Sequence, residues 1–554
     1  MTITCRFPII LFFLFLFPAT YSCRSTNELF QEKVAKGISV DTDETITRPL
    51  FTNSSENIVA KIRVKYENSG GRATLKGISV LFSDESSVSE VSDIIVLCGS
   101  SSSVPSAISI PGSLILNKNK LLISCNYDFR EGENDISLSL ILKKSASLTG
   151  RLRILDVKME LNDGTMIPIP QVVFPVLRFA TKLRSAGQDN CDTYRIPGLI
   201  TTNTGTLIAV YDNRYNSSKD LQENIDIGMS RSTDGGENWE PMKVIMDMGT
   251  FGGLPQNQNG MGDPCILYDT RNGVIIVASL WMNGSPPDKM LWWASQPGTT
   301  PQVTGQLMLV KSYDDGLTWS DPENITSQIK SPEWQLLLQG PGRGITMKSG
   351  TLVFPAQFKA DIGTKALDGG QYTCHSTIVY SRDGGKTWSI GAGAKPNTTE
   401  SQVVELSDGS LMLNMRDDRN RTDKGATNGR AVATTRDMGK TWQAHPTSNS
   451  ALPEPNCQAS LISTDLIVAG TTKKVLFFSN PANRSKRNHM TVKASLDEGL
   501  SWPEKFQLLL NTEEGYGYSC LTMISDEYVG ILYEGEKDLY FQKIAIKDIL
   551  KDVK

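Results

Sequence analysis

The chain has 554 residues, of which 39% are hydrophobic and 21% charged, so it can bury a sizeable core and is not disordered by composition. Its 56 Lys and Arg against 60 Asp and Glu give a net charge of −4. A nucleic-acid-binding protein usually shows a basic excess instead, so we expect no nucleic-acid partner. The three isolated histidines and nine scattered cysteines form no zinc motif, and we expect no metal site.

The first residues read as an export signal. Arg6 precedes an apolar run over residues 7–17, which is shorter than the roughly 20 residues that a membrane-spanning helix needs. The pattern predicts a secretion signal over residues 1–22 and no transmembrane helix. Ser22-Cys23 also fits a bacterial lipoprotein cleavage site with an acylated Cys23, although Thr20 stands where that pattern prefers Leu. Both interpretations stay open, and both take the mature protein to the periplasm, the cell surface or the medium.

The sequence pattern of residues 23–172 predicts short strands. Apolar and polar residues alternate over residues 58–66 and 136–142, as expected of half-buried strands. Gly-rich and Asn-rich turns separate such segments, and no group of catalytic residues stands out. The region predicts an N-terminal β-sandwich domain.

Five later segments share the pattern Ser/Thr-x-Asp-x-Gly-x-x-Trp, the Asp box. In each, the Asp side chain can bond following backbone amides and the Gly tolerates positive φ, which favours a tight turn with a packed Trp beside it. Five copies at spacings of 54 to 80 residues are an internal repeat, typical of β-propeller hairpins, and we expect their role to be structural. The boxes span residues 232–239, 312–319, 381–388, 435–442 and 495–502.

Ahead of the first box stands Tyr194-Arg195-Ile196-Pro197. With this Arg-Ile-Pro motif and the boxes, residues 174–554 resemble the sialidase (neuraminidase) family, specifically bacterial exo-α-sialidases. The resemblance implies an all-β chain with a six-bladed β-propeller over residues 173–554, one blade lacking a box. The preceding β-sandwich then resembles the accessory domain of some gut-bacterial members.

The resemblance implies hydrolysis of terminal α-linked sialic acids from glycoproteins, glycolipids or oligosaccharides, without a cofactor. Sialic acid carries a carboxylate on its anomeric carbon, and the planar arginine side chain pairs with carboxylate in a bidentate manner. By matching context, Arg195, Arg416 and Arg487 correspond to the family's three carboxylate-binding arginines. Arg484 is a weaker alternative for the third.

The family's nucleophile is a tyrosine activated by a glutamate, an exception among glycosidases. Tyr518 and Glu400 match these two residues, and Tyr516 and Glu405 are the neighbouring alternatives. If the Tyr518 segment is a strand, Tyr516 should point to the opposite face.

Asp220 matches the acid/base residue, with Asp226 as an alternative. An acid that works near neutral pH needs a raised pKa, through burial or closure of the site. The implied reaction is a retaining double displacement through a covalent sialyl-tyrosine.

Three further residues resemble supporting positions of the family. Arg214 corresponds to a contact with sugar hydroxyls, Glu534 to the carboxylate that orients Arg195, and Asp263 to the pocket floor near the N-acetyl group. Each fits a structural salt bridge or turn cap equally well. Three tryptophans can line the site or pack in the core: Trp281, Trp292 and Trp293.

Two other functions share these features. A non-catalytic Asp-box propeller would only bind glycans, and a trans-sialidase, including an intramolecular form, would use the same residues but yield a transferred or anhydro sugar. The complete set of arginines, Tyr518, Glu400 and Asp220 favours an enzyme, and hydrolysis is the commoner activity. Linkage preference, oligomeric state and the role of the N-terminal domain stay open.

Overall fold

The computed structural model of the chain describes residues 37–42, 47–55, 57–67, 72–99, 108–111, 113–170, 174–220, 223–281 and 289–551. The predicted secretion signal and Cys23 lie outside these residues. Within them, no helix has the length and apolar character needed to cross a membrane.

The described part of the chain is almost entirely β structure, which confirms the predicted all-β class. Its three α-helices have four residues each: α1 (Leu291–Ala294), α2 (Thr326–Ile329) and α3 (Ile546–Ile549).

The N-terminal strands form two groups that share one apolar core. β1, β3, β9, β5 and β6 pair in that order, and β10, β4, β8 and β7 pair in a second run. Alternate residues of β3 and β8 point inward, and Val64, Val80 and Leu138 are buried in the common core. The strands are β1 (Ile38–Thr42), β2 (Leu50–Phe51), β3 (Asn57–Tyr66), β4 (Thr74–Phe82), β5 (Val91–Gly99), β6 (Ile108–Pro111), β7 (Ser113–Asn117), β8 (Lys120–Asp128), β9 (Gly132–Leu142), β10 (Arg151–Leu161) and β11 (Met166–Pro168).

The remaining strands follow one another mostly as antiparallel neighbours. They are β12 (Val176–Arg184), β13 (Thr193–Thr201), β14 (Leu207–Arg214), β15 (Ile225–Ser232), β16 (Lys243–Met246), β17 (Met261–Asp269), β18 (Val274–Trp281), β19 (Gln306–Ser312), β20 (Glu323–Asn324), β21 (Leu336–Gln339), β22 (Gly342–Arg343), β23 (Ile345–Thr346), β24 (Leu352–Ala360), β25 (Thr373–Ser381), β26 (Ser389–Ile390), β27 (Lys395–Pro396), β28 (Thr398–Glu405), β29 (Leu411–Asp417), β30 (Ala431–Thr435), β31 (Gln443–Ala444), β32 (Ser460–Val468), β33 (Thr471–Pro481), β34 (Met490–Ser495), β35 (Gln507–Asn511), β36 (Ser519–Met523), β37 (Tyr528–Glu534) and β38 (Leu539–Ala545).

These strands form successive sheets whose neighbours touch in a closed cycle. β13 contacts β17, β17 contacts β24, β24 contacts β28, β28 contacts β32, β32 contacts β36, and β36 contacts β13 again. One strand of each sheet therefore takes part in a ring of contacts around a common centre.

β12 closes the cycle and joins it to the N-terminal strands. Its second half pairs with β38, next to β37 and β36, so an early strand completes the last sheet. Its first half pairs with β10 through Arg151 and Arg178. The sheet is therefore hydrogen-bonded across the predicted boundary between residues 172 and 173.

The Asp boxes contain the hydrogen bonds expected of a tight turn. In the third box, Ser381 Oγ donates to Asp383 Oδ1 at 2.8 Å, and the backbone N–H of Gly385 donates to Ser381 Oγ at 2.9 Å. The N–H of Thr387 donates to Asp383 Oδ1 at 2.9 Å. The box Trp388 is 4% exposed and packs on Phe354 with 5.3 Å between ring centroids.

We expect Trp388→Ala to lower the free energy of unfolding by about 3–5 kcal/mol, because it removes a buried aromatic side chain and leaves a cavity. Denaturant titration measures the loss. The matched control is Trp442→Ala in the fourth box, where the indole is only partly buried and the loss should be smaller. Equal losses at the two positions would contradict this account of box packing.

Candidate active site

Three of the predicted site residues lie at bulges in strands of different sheets. The register shifts around Arg195 in β13, around Asp263 in β17 and around Glu400 in β28. Ile196 and Asp263 have φ of 59° and 58°, which is rare for residues other than glycine and rarest for a β-branched one. Because a bulge bends its strand and re-aims a side chain, the three bulges turn these residues toward the common centre.

Tyr518 and Glu400 form the central contact of the site. The Tyr518 hydroxyl donates a hydrogen bond to Glu400 Oε1. Arg416 Nη1 donates to the Tyr518 hydroxyl at 3.1 Å and to Glu400 Oε2 at 2.6 Å. Tyr518 is 6% exposed, and burial together with the Glu400 charge holds its pKa well above the ordinary value, despite the nearby arginines. A neutral phenol therefore faces a buried carboxylate.

The three predicted arginines converge on Tyr518. The guanidinium carbons of Arg195 and Arg487 lie 5.2 and 5.7 Å from the centre of its ring. Arg416 Nη2 donates to Asn456 Oδ1 at 2.9 Å, and Arg487 Nη2 donates to the carbonyl oxygen of Asn456 at 3.2 Å. Asn456 thus holds two of the arginines together. No sequence motif marked it.

Glu534 binds Arg195, as predicted, and two backbone groups as well. Its Oε1 accepts from Arg195 Nε at 3.1 Å and from the N–H of Ile196 at 2.8 Å. Its Oε2 accepts from the N–H of Tyr518 at 2.8 Å. This buried carboxylate fixes the first and last sheets against each other at the site.

Tyr516 lies in an irregular segment ahead of β36 rather than in a strand, so the expected opposite orientation does not apply. Its ring lies 4.4 Å from the guanidinium carbon of Arg195. Its carbonyl oxygen accepts from Arg487 Nη1 at 3.0 Å. Both tyrosines therefore contact the arginine cluster, but only Tyr518 bonds to Glu400.

Asp220 faces the cluster from a loop. Its Oδ1 accepts from Arg195 Nη1 at 3.2 Å and from Arg214 Nη1 at 2.7 Å. Burial raises the pKa of Asp220, but the charges of Arg214 and Arg195 outweigh it, and the net pKa is below the ordinary value. This direction is opposite to the raised pKa that a proton donor near neutral pH needs.

Arg214 lies behind Asp220. Its side chain is fully buried, with bonds to Asp212 at 2.8 Å and to the carbonyl oxygens of Ser218 and Lys219 at 2.7 and 3.0 Å. The side chain is 0% exposed in this structure, and the expected contact with sugar hydroxyls stays a prediction. The Arg214 side chain supports the loop that carries Asp220.

Asp263 lines the pocket beside this group. Its N–H donates to Asp212 Oδ1 at 3.0 Å, and its carbonyl oxygen accepts from Gln339. Burial, followed by the charges of Asp212 and Glu400, raises the pKa of Asp263 well above its ordinary value. Its carboxyl group is therefore held toward the neutral form.

The pocket measures about 320 Å³, within the range of small-molecule sites. One side is charged and the other apolar. Trp292 and Trp293 of α1 line the apolar side, whereas Trp281 is 1% exposed in the core and donates to Asn259 Oδ1 at 2.6 Å. The lining residues are Ile196, Asp220, Asp263, Leu280, Met290, Leu291, Trp292, Trp293, Leu336, Leu338, Gln357, Thr399, Glu400, Arg416, Arg421 and Tyr518.

The alternatives Glu405, Asp226 and Arg484 are not among these lining residues. Glu405 accepts from the N–H of Lys348 at 2.8 Å, and Asp226 accepts from the Tyr215 hydroxyl at 2.8 Å. Among the described residues, no group of three His, Cys, Asp or Glu could hold a metal ion.

Comparisons with known proteins identify the family of the chain. Residues 205–531 match the family model of a BNR repeat-like domain. A sialidase of Bacteroides fragilis (strain YCH46) is 47% identical over 436 residues, which are 78% of this chain and 77% of the relative. A sialidase of Paraclostridium sordellii is 31% identical over 381 residues, 64% of this chain and 85% of the relative.

Among solved structures, the Hadza microbial sialidase Hz136 superimposes with a TM-score of 0.80 at 39% identity, covering 92% of this chain and 99% of that one. The intramolecular trans-sialidase of Ruminococcus gnavus has a TM-score of 0.52 at 20% identity, covering 66% of this chain and 97% of that one, and supports the fold alone. The fold and the relatives define a glycoside hydrolase. The chain belongs to the sialidase family.

We expect Tyr518 to stay protonated while ordinary tyrosines ionise, because its pKa is raised by burial and by Glu400. Alkaline difference absorbance of the parent and of Tyr518→Phe should coincide up to about pH 11, above the ordinary tyrosine pKa of about 10. Circular dichroism serves as the control for unfolding at high pH. A smaller absorbance change in the variant near pH 10 would contradict the raised pKa.

Proposed function

We propose that this enzyme is an exo-α-sialidase that releases terminal α-linked sialic acid with retention, using Tyr518 as nucleophile. The observation that carries the proposal is the hydrogen bond from the Tyr518 phenol to the Glu400 carboxylate, inside a cluster of three arginines. This is the arrangement that an anionic sugar with a hindered anomeric centre requires.

The arginines bind the substrate carboxylate. Arg195, Arg416 and Arg487 bring three positive charges around one ring, and charge-assisted bonds to carboxylate are about twice as strong as neutral ones. Binding the carboxylate here holds the anomeric carbon near the Tyr518 hydroxyl. Holding the two reacting atoms together lowers the activation free energy, because the entropy of orienting them is lost on binding and not in the reaction step.

A neutral nucleophile avoids repulsion with the substrate's carboxylate. As the Tyr518 oxygen attacks the anomeric carbon, its proton passes to Glu400 along the existing hydrogen bond. The bond to the aglycone breaks at the same carbon, and a covalent sialyl-tyrosine results, in which the Tyr518 oxygen forms a glycosidic bond to the anomeric carbon. When the sugar is released, Glu400 returns the proton to Tyr518.

The proton for the departing oxygen comes from Asp220. In the free site Arg195 and Arg214 favour its ionised form. A substrate carboxylate bound to Arg195 neutralises that partner and adds a nearby negative charge, and both effects raise the pKa of Asp220. Substrate binding itself thus prepares the acid. In the second step Asp220 takes a proton from the water that attacks the anomeric carbon.

The remaining residues hold this arrangement. Arg214 orients Asp220, and Glu534 orients Arg195 and the Tyr518 backbone. Asp263, held toward its neutral form, offers a hydrogen-bonding floor without adding charge. None of these steps calls for a cofactor.

We also propose the domain arrangement behind the site. Residues 23–172 form a β-sandwich accessory domain, and residues 173–554 form a six-bladed β-propeller whose last blade is completed by β12. The closed cycle of sheet contacts and the common N-terminal core support this division.

The first test is release of a fluorescent aglycone and of free sialic acid from 2-α-sialosides. We expect Tyr518→Phe to lose on the order of 10³-fold or more in kcat/KM, because it removes the nucleophile. Tyr516→Phe is the matched control and should retain most activity, since the Tyr516 contacts described above use its ring face and its backbone carbonyl.

Activity that survives Tyr518→Phe would overturn the assignment of the nucleophile. A parent protein that binds sialosides but turns over none would favour a binding propeller. An anhydro or transferred sugar in place of free sialic acid would favour a trans-sialidase.

A second test measures how kcat and kcat/KM depend on pH. The substrate is a sialoside with a poor leaving group, for which protonation of the departing oxygen limits the rate. Asp220 must be protonated, and its pKa is lowered in the free enzyme and raised once substrate occupies Arg195. The alkaline limb of kcat should therefore lie at higher pH than that of kcat/KM. Coincident limbs would contradict substrate-induced protonation.

With the same substrate, Asp220→Asn should lower turnover by about 10²–10⁴-fold, and an activated aryl sialoside should lose less. Asp226→Asn, outside the pocket, is the control for a carboxylate change in the same region.

A further inference from the structure

A buried ion pair lies behind the pocket and has no role in the mechanism above. Arg430 Nη1 and Glu454 Oε2 are 2.9 Å apart, and the two side chains are 0% and 1% exposed. Removing two charges from water is costly, and a well-packed apolar pair is often as stable or more so. The contacts of the pair therefore need an explanation beyond stability.

Arg430 binds backbone and side-chain oxygens on three segments. Its Nε donates to Asn414 Oδ1 at 2.7 Å, and its Nη1 donates to the carbonyl oxygen of Cys457 at 2.6 Å. Its Nη2 donates to the carbonyl oxygen of Glu400 at 3.3 Å. One guanidinium thus joins β28, β29 and the segment ahead of β32.

Glu454 binds the complementary donors. Its Oε1 accepts from the N–H of Asp417 at 3.0 Å and from Asn420 Nδ2 at 2.7 Å. Its Oε2 accepts from the N–H of Cys457 at 3.3 Å, besides Arg430. The carboxylate therefore holds the end of β29 against the same segment.

Apart from Asn420, each residue held by the pair is a site residue or lies within two positions of one. Glu400 is bound directly, Asn414 and Asp417 flank Arg416, and Cys457 follows Asn456. Asn456 in turn accepts from Arg416. We propose that the Arg430–Glu454 pair is a positioning device that sets the relative placement of Glu400, Arg416 and Asn456, and through them the Tyr518 hydrogen bond.

Both side chains are buried and the contacts described above are all to protein groups, so the pair acts through other residues. The inference rests on the proposed function, because it assigns these three residues to the site. A catalytic group must be held within about 0.5 Å of its working geometry, which residues locked by further hydrogen bonds can provide. The hydrogen bonds of a buried ion pair are directional and can fix the positions of the groups that they bind. An apolar pair packs against its neighbours without this directionality.

The test is Glu454→Gln, which keeps the size of the side chain and removes its charge. We expect kcat to fall by about 10–100-fold, the cost of misplacing a catalytic group by a fraction of an ångström to about 1 Å, with a smaller change in KM. The control is Asp548→Asn, which breaks pairs with Arg151 and Arg178 at 3.0 and 2.9 Å, outside the pocket. This control should lower the melting temperature but leave kcat per folded molecule unchanged.

The double variant Arg430→Met/Glu454→Gln separates positioning from simple charge balance. It removes both buried charges, so it should recover melting temperature relative to Glu454→Gln while kcat stays low. Recovery of kcat together with stability would overturn the proposal. An unchanged kcat in Glu454→Gln, or an equal kcat loss in Asp548→Asn, would do the same.

Crystal structures of the parent and of Glu454→Gln keep this inference separate from the proposed function. A parent without sialidase activity refutes the function, whereas the distance from the Glu400 carboxylate to the Tyr518 hydroxyl still reports on positioning. We expect that distance to change by about 0.5 Å or more in the variant. An unchanged distance would overturn the positioning role.

Discussion

The carboxylate of Glu534 is the contact on which the site depends. It accepts from the side chain of Arg195, from the backbone of Ile196 and from the backbone of Tyr518. These groups belong to the first and last sheets of the cycle, which are far apart in sequence. Because a buried charge is stable only when its partners are supplied, the two sheets are held at one separation on one side of the pocket, and the sheets between them supply most of its other lining residues.

The pocket concentrates charge that only a matching anion can balance well. Arg195, Arg416 and Arg487 surround the phenol of Tyr518. Among the nearby acids, Glu534 and Asp220 bind Arg195, and Glu400 binds Arg416. Asp220 is tied to Arg195 in the free site, so an incoming carboxylate competes for the same guanidinium. In the proposed mechanism, recognition of the substrate and protonation of Asp220 both follow from this one exchange of ion pairs.

The residues of the arginine cluster and its acids are held in place by strand bulges and by buried hydrogen-bonded side chains. The bulges at Arg195, Asp263 and Glu400 direct side chains inward from strands whose regular pleat would aim them elsewhere. Behind them, Arg430 donates to the carbonyl oxygen of Glu400, and Glu454 accepts from the N–H of Asp417. The closure of the last sheet by β12 adds a second restraint, because it ties the start of the cycle to its end.

Local patterns were enough to predict the all-β class, the strands of the N-terminal region and the box turns, because these depend on alternating polarity and on an Asp and a Gly at fixed offsets. The sequence also singled out Arg195, Glu400, Arg416 and Tyr518 through motifs and their context, and the fold brings their side chains together. Three placements could not be predicted from the sequence: Arg214 behind Asp220, Tyr516 against Arg195, and the contacts of Asn456, Arg430 and Glu454 with site residues. These contacts depend on how the chain folds back on itself: Arg214 is six residues from Asp220, but Glu534 is 339 residues from Arg195 and Glu400 is 118 residues from Tyr518, and no local pattern encodes such pairings.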